Sequence, residues 1–355
     1  DEAPGRSDRY AEWARGVTAD DEVLRILARI PEAHRQPPLV FAVTRLLGAP
    51  EAGYARWRAW LAEHADAVVA ECAQRSIQTN EPLRCAALLP ALSLIDGPIA
   101  LLEVGASAGL CLYPDRYAYR YRHGRETVVL DPPGGAEVVL HAKLRGPVVP
   151  RLRMPDVVWR AGIDLRPLDA RAAADRAWLL GLVWPGEAGR SERMRAALDV
   201  VAADPPRLVA GDAADVLADV AALAPADATL VVTTPGVLAH VPRAGRERIA
   251  AAATAAGRWI TIDALGLHAA VDVAWSPPAD PREWPNGAFA LALDGDVLAA
   301  VDPLGASVEW RRGAAAAAQQ RALVALDDRD RALLDFESAW SRHVGAKEEA
   351  IRAEL

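Results

Sequence analysis

Apolar residues recur at helical spacing through the first 95 positions, in the stretches 8–16, 20–30, 54–70 and 83–95. Trp57, Trp60, Leu61, Val68 and Val69 form one apolar stripe, the pattern of a helix face that packs. Asn80 before Glu81-Pro82 predicts a helix start, with a side-chain cap and a proline in the first turn. At Gly97-Pro98 the pattern changes. Ile99-Ala100-Leu101-Leu102-Glu103-Val104 is short, apolar and bounded by glycine, which predicts a buried parallel strand. Strand-like segments near 157–163, 207–210, 229–234 and 258–263 then alternate with helix-like segments near 190–203, 213–223 and 244–256. Such alternation predicts an open α/β sheet with helices on both faces. Residues 289–293 and 297–301, joined by Asp294-Gly295-Asp296, predict an antiparallel hairpin.

Residues 113–156 break the alternation. Tyr117, Tyr119 and Tyr121 alternate, so they share one face of a strand. Segments 126–130 and 137–144 add two strand-like runs around Pro132-Pro133-Gly134-Gly135, so a β-rich insert is expected. The chain thus divides into a helical cap (1–96), an α/β domain (97–311) and a helical tail (312–355).

Composition narrows the functional classes. The 355 residues are 52% hydrophobic and 25% charged, enough for a sizeable core. Lys+Arg is 40 against Asp+Glu 48, a net charge of −8, which gives no overall attraction to nucleic acid or an anionic membrane. Cys72, Cys85 and Cys111 are an odd set with no metal-ligand spacing, so no metal is expected. No apolar run is long enough to span a membrane, and no signal segment begins the chain, so the cytoplasm is the expected location.

The sharpest motif is Leu101-Leu102-Glu103-Val104-Gly105-Ala106-Ser107-Ala108-Gly109-Leu110. A buried strand ends in an acid, and a loop of small residues follows, where a ligand can approach the backbone and meet its N–H groups. The spacing is not GxGxxG, which counts against a dinucleotide. Instead, Glu103, Gly105, Ala106, Ser107 and Gly109 resemble the first motif of the class I S-adenosylmethionine (SAM) dependent methyltransferases, with Ser107 where that family has glycine. Gly162-Ile163-Asp164-Leu165 resembles the end of the second strand, where the family's acid meets the ribose hydroxyls. Gly211-Asp212-Ala213 resembles the loop that meets adenine. The stretch from Val231 to Pro242, with Leu238-Ala239-His240-Val241-Pro242, resembles the fourth strand and its loop.

The resemblance implies a methyltransferase-like Rossmann fold, with a mostly parallel seven-stranded sheet and an antiparallel last strand. It implies SAM as cofactor and a small molecule or peptide as substrate. The alternative is a binding or regulatory protein on the same fold without transfer activity. More narrowly, Gln78-Thr79-Asn80-Glu81-Pro82-Leu83-Arg84-Cys85, the glycine loop, Asp115-Arg116-Tyr117-Ala118-Tyr119, the Asp164 segment and Leu182-Val183-Trp184-Pro185 resemble an uncharacterised bacterial family. Asp328–Glu337 and the residues after it resemble the first half of a second small uncharacterised domain, one that looks like a helix-turn-helix.

His240, just beyond the fourth strand, is the candidate general base, and His268 a second candidate; support of a turn is the alternative. Asn80, Glu81 and Arg84 set an amide, a carboxylate and a guanidinium on one short turn. They could close over a cofactor or grip an acidic substrate, or serve as a cap with a structural ion pair. Asp115, Tyr117 and Tyr119 are candidates for a substrate mouth and Trp184 for a pocket wall, with packing as the alternative for each. The chain lacks an Asn-Pro-Pro-Tyr motif, which disfavours transfer to a base or amide nitrogen, and no basic aromatic patch suggests a nucleic-acid substrate.

Overall fold

The computed structural model describes residues 6–146, 148–264, 267 and 284–311. Five helices come first: α1 (Asp8–Thr18), α2 (Asp21–Leu27), α3 (Pro37–Leu46), α4 (Tyr54–Glu63) and α5 (Ala65–Gln74). Helix α6 (Arg84–Leu92) leads into β1 (Pro98–Val104), followed by β2 (Ala118–His123), β3 (Glu126–Leu130), β4 (Val139–Arg145) and β5 (Asp156–Asp164). Then come α7 (Ala173–Gly181), α8 (Arg190–Ala203), β6 (Arg207–Ala210), α9 (Ala213–Ala221), β7 (Thr229–Pro235), α10 (Arg243–Ala256) and β8 (Arg258–Asp263). Strands β9 (Phe289–Leu293), β10 (Asp296–Val301) and β11 (Ser307–Trp310) complete the described chain. His268 and the tail 312–355 lie outside the described residues.

The protein is a mixed α/β fold around one large, mostly parallel sheet. The described strands join in the order β3-β2-β4-β11-β10-β9-β8-β7-β1-β5-β6. Strands β6, β5, β1, β7 and β8 form a parallel block. Where seven strands were expected, the described residues form eleven. The antiparallel neighbour of the block is β9, the first arm of the hairpin, and β10 runs with the block again. The sheet is larger because β11 covers the free edge of β10 and then pairs in parallel with β4, which draws the insert into the same sheet. An unpaired edge leaves backbone donors and acceptors open, and each added strand satisfies them.

Each sheet face has its own helices. Ile99 and Leu101 pack with residues of α6 and α8, while Leu102, Val104, Val232 and Trp259 pack with α9 and α10. Tyr117, Tyr119 and Tyr121 share the first of these faces and are completely buried. Their hydroxyls donate to the carbonyls of Leu110 (2.7 Å), Pro114 (2.5 Å) and Ala86 (2.7 Å). Tyr117 and Tyr119 are thus core residues and do not line a substrate mouth.

The helical layer is aromatic. Trp13 stacks on Trp57 at 5.1 Å, and Phe41 meets both edge-on. Trp178 of α7 and Trp184 join this cluster, whereas α6 belongs to the core of the sheet. Trp184 packs on Tyr10 at 5.3 Å and lies under the Arg6 guanidinium at 4.0 Å, in the aromatic layer rather than beside the glycine loop. The run 54–70 breaks at His64, and α3 begins at Pro37-Pro38, where proline fits the first turn.

Asn80 does not cap a helix. Helix α6 starts at Arg84, because the Glu81 carboxylate accepts the Leu83 N–H at 3.0 Å and turns the chain there instead.

Candidate functional site

Three loops leave the carboxyl ends of β1, β5 and β6 side by side. The Gly105 and Ala106 N–H groups donate to Ile163 O at 2.8 and 3.2 Å. The Ser107 N–H donates to Asp164 Oδ2 at 2.8 Å, and the Arg166 N–H donates to Asp164 Oδ1 at 2.8 Å. The Gly211 N–H donates to Asp164 O at 2.9 Å, and Asp212 caps α9 by accepting the Ala214 N–H at 2.9 Å. The fold therefore brings the glycine loop, Asp164, Leu165 and the segment 211–213 into one array. Leu165 is 74% exposed beside it.

The loop does not present its amides outward as expected. Those of Gly105, Ala106, Ser107 and Gly109 all donate within the protein. No α-helix follows either. Only a 3-10 turn at Leu110–Leu112 precedes the insert, so no helix dipole backs the loop. Ser107 adopts a left-handed φ of 52°, uncommon without glycine, and its hydroxyl bonds Gln78 Oε1. Gly105 has φ +76°, and a Cβ there would lie 2.5 Å from Val237 Cγ2. The loop after β7 thus packs onto the loop after β1, at the point where the block's crossovers change direction.

The segment 78–84 straps this array. Gln78 Nε2 donates to Arg166 O at 2.9 Å. Arg84 donates to Pro235 O at 2.9 Å and to Pro303 O at 2.9 Å, tying the tip of β7 to the β10–β11 turn. Glu81, 1% exposed, pairs with Arg190 Nε at 2.7 Å and Arg193 Nε at 3.0 Å. Arg190 continues to Glu187 at 2.6 Å, and Arg6 meets the same carboxylate at 2.6 Å. Glu81 and Arg84 therefore anchor the strap.

Two buried carboxyls stand at the strand ends. Among the described residues Glu103 Oε2 has no hydrogen-bond partner, and burial holds its pKa well above the ordinary carboxylate value. Asp263, last in β8 and 2% exposed, faces the Leu238 and Ala239 amides, and among the described residues neither of its oxygens meets a donor at full hydrogen-bonding geometry. Burial pushes it up to about 8, against the Arg84 and Arg246 guanidiniums and the Leu238 and Ala239 amides. The Nδ2 of Asn80 and the Oγ1 of Thr261 are also buried without hydrogen-bond partners among the described residues. Such orphaned groups are rare and cluster where structures do chemistry. Sequence reading missed Asp263; an acid closing an apolar strand, as Glu103 closes β1, was the available signal.

A raised carboxyl binds its proton more tightly in the folded chain than in the unfolded one. Stability contributed by Asp263 is therefore full below the unfolded value of about 3.9 and falls as pH rises toward 8. Asp263→Asn is expected to flatten that fall, leaving the share due to Glu103. Thermal midpoints across this range measure it, and parallel pH slopes in the two proteins would refute it.

The remaining candidates lie apart. His240 ends a 3-10 turn after β7 and is exposed. Asp115 pairs with Arg160 at 2.7 Å, which fixes the start of the insert. A groove of about 280 Å³, lined in part by Ala108, Leu168, Pro206 and Leu208, lies beside the glycine loop but includes neither Asp212 nor His240. Among the described residues, no group of three potential ligands could hold a metal ion, and no helix is long and apolar enough to cross a membrane.

Comparison with known proteins gives family membership. A profile described as a protein of unknown function (DUF3263) matches residues 325–355. No curated protein and no solved structure matches the chain. A second profile matches residues 1–310, which span the helical layer, the strap, the glycine loop and every described strand. The chain therefore belongs to the family described as an uncharacterized protein conserved in bacteria (DUF2332).

Proposed function

We propose that the chain is a SAM-dependent methyltransferase acting on a small molecule or peptide. One observation carries the reading. The parallel order β6-β5-β1-β7-β8 gathers the Glu-x-Gly-x-Ser-x-Gly loop, Asp164 and Gly211-Asp212-Ala213 at the strands' carboxyl ends, where open α/β sheets of the Rossmann type bind ligands. The residues fit the cofactor at two places. Each Asp164 oxygen accepts one backbone N–H and keeps capacity for a ribose hydroxyl. Asp212 has one oxygen beyond its cap for an adenine amine. SAM would supply an activated methyl group. The chain would hold the acceptor in line and exclude water, with His240 as the candidate base.

A second reading is a binding protein on the same fold without transfer. The packing of Val237 against Gly105 favours it, because that contact fills the approach to the loop. Calorimetry with SAM, S-adenosylhomocysteine and NAD separates the possibilities. Binding of both sulfur nucleosides and not NAD is expected. Gly105→Asp is expected to abolish that binding, because the new side chain must displace Val237 at a left-handed position. No heat with either sulfur nucleoside would sink the proposal, and unchanged affinity in the variant would move the site elsewhere.

A further inference from the structure

The insert carries a face unrelated to the strand-end site. In β2 and β4 the inward face carries Tyr119, Tyr121, Leu140, Ala142 and Leu144, and Ala118, at the start of β2, is buried on the other. The alternate positions Arg120, Arg122, His141, Lys143 and Arg145 point the other way. Register sets Arg120 opposite His141 and Arg122 opposite Lys143. Arg122, His141, Lys143 and Arg145 are exposed. Arg120 pairs with Asp131 at 2.7 Å, and among the described residues the other four make no ion pair. Like charges directly opposite in neighbouring strands destabilise a sheet, and functional surfaces are where native chains tolerate such a broken local rule. The face also runs against a chain whose net charge is −8.

Cations two residues apart on a strand stand about 6.6 Å apart, and those on neighbouring strands about 4.8 Å apart, a regular array of donors. The tyrosines of β2 all point inward. Base stacking, the usual grip on single strands, is therefore unavailable here, whereas contact with a regular row of phosphates is not.

We propose that the outer face of β2 and β4 binds the sugar-phosphate backbone of a double-stranded nucleic acid without reading its sequence. The test is fluorescence anisotropy with labelled DNA and RNA duplexes, a single strand and polyglutamate. The logarithm of duplex affinity is expected to fall linearly with the logarithm of salt, at a slope of about −2.7 to −3.6 for three to four phosphates. Arg122→Glu/Lys143→Glu is expected to lose at least about tenfold in affinity at low salt. Arg243→Glu/Arg248→Glu, the same charge change on exposed positions of α10, is expected to keep it. Arg122→Gln/Lys143→Gln is expected to fall between, and melting curves confirm that each variant folds. DNA and RNA duplex affinities identify which backbone is preferred. No duplex binding, equal loss in the two charge-reversed variants, or polyglutamate or single strand bound as tightly as duplex would each overturn the proposal.

Discussion

Glu81→Ala is expected to lower the unfolding free energy by about 2–3 kcal/mol, because it strips buried Arg190 of one of its two carboxylates and leaves Glu187 to serve both Arg190 and Arg6. The carboxylate also accepts the Leu83 N–H and the Arg193 guanidinium, so one truncation removes three contacts of the strap. Urea titration measures the loss. A change below about 1 kcal/mol would mean that water or rearrangement compensates Arg190. The ion pair need not be stabilising relative to apolar packing, however. Glu81→Leu/Arg190→Met is expected to recover part of the loss, since it removes the buried guanidinium together with the carboxylate, while Arg193 still lacks its partner. The single variant is also expected to loosen Gln78 from Ser107, because the same short segment carries both residues.

Gly305→Ala is expected to destabilise by roughly 3 kcal/mol or more, through two causes that add. Gly305 has φ +93°, and a Cβ there would collide with the Leu83 carbonyl at the start of α6. The conformational cost can be measured separately at Gly134, which has φ +87° and open space around the missing Cβ. Gly134→Ala is expected to cost only about 1–2 kcal/mol. The difference between the two variants reports how tightly the β10–β11 turn is pressed onto α6. That turn supplies the Pro303 carbonyl to Arg84, so Gly305→Ala is also expected to disturb the tip of β7. Equal losses at the two glycines would show that the turn shifts freely and does not brace Arg84.

Periodicity made the parallel block legible. β6 and β8 occupy the spans read from sequence, as does α8, because each is a short apolar or amphipathic run bounded by turn residues. The tyrosine alternation read in the insert is likewise a buried face. What periodicity reports is which face is apolar, not which element covers it. Nothing local says that Ser307–Trp310 forms a strand, because its four residues gain their meaning from β4 and β10. Helix α3 opens with two prolines, which read as a break unless they occupy the first turn.

At the strand ends, motif order placed the glycine loop, Asp164 and Asp212 together. It did not show that Val237 and the strap would occupy the surroundings, because those contacts join distant parts of the chain. The basic face was hidden for another reason. A net charge averages over the whole chain, whereas the same alternation that buries Tyr119 and Tyr121 lines up Arg120 and Arg122 on the opposite side.

The parallel pairing of β4 with β11 sets a constraint on how the chain can assemble during synthesis. Lys143 to Arg145 find their partners only in Ser307 to Glu309, about 160 residues later. At roughly 5–20 residues per second, the outer edge of β4 waits about 10–30 s for that partner to be made. During this interval β2, β3 and β4 can pair with one another and pack on α6, but β4 exposes an open edge. Closure of the sheet is thus a late, non-local event, the kind of step that slows folding. A chain interrupted before residue 307 would retain that open edge and is expected to recruit other chains to it.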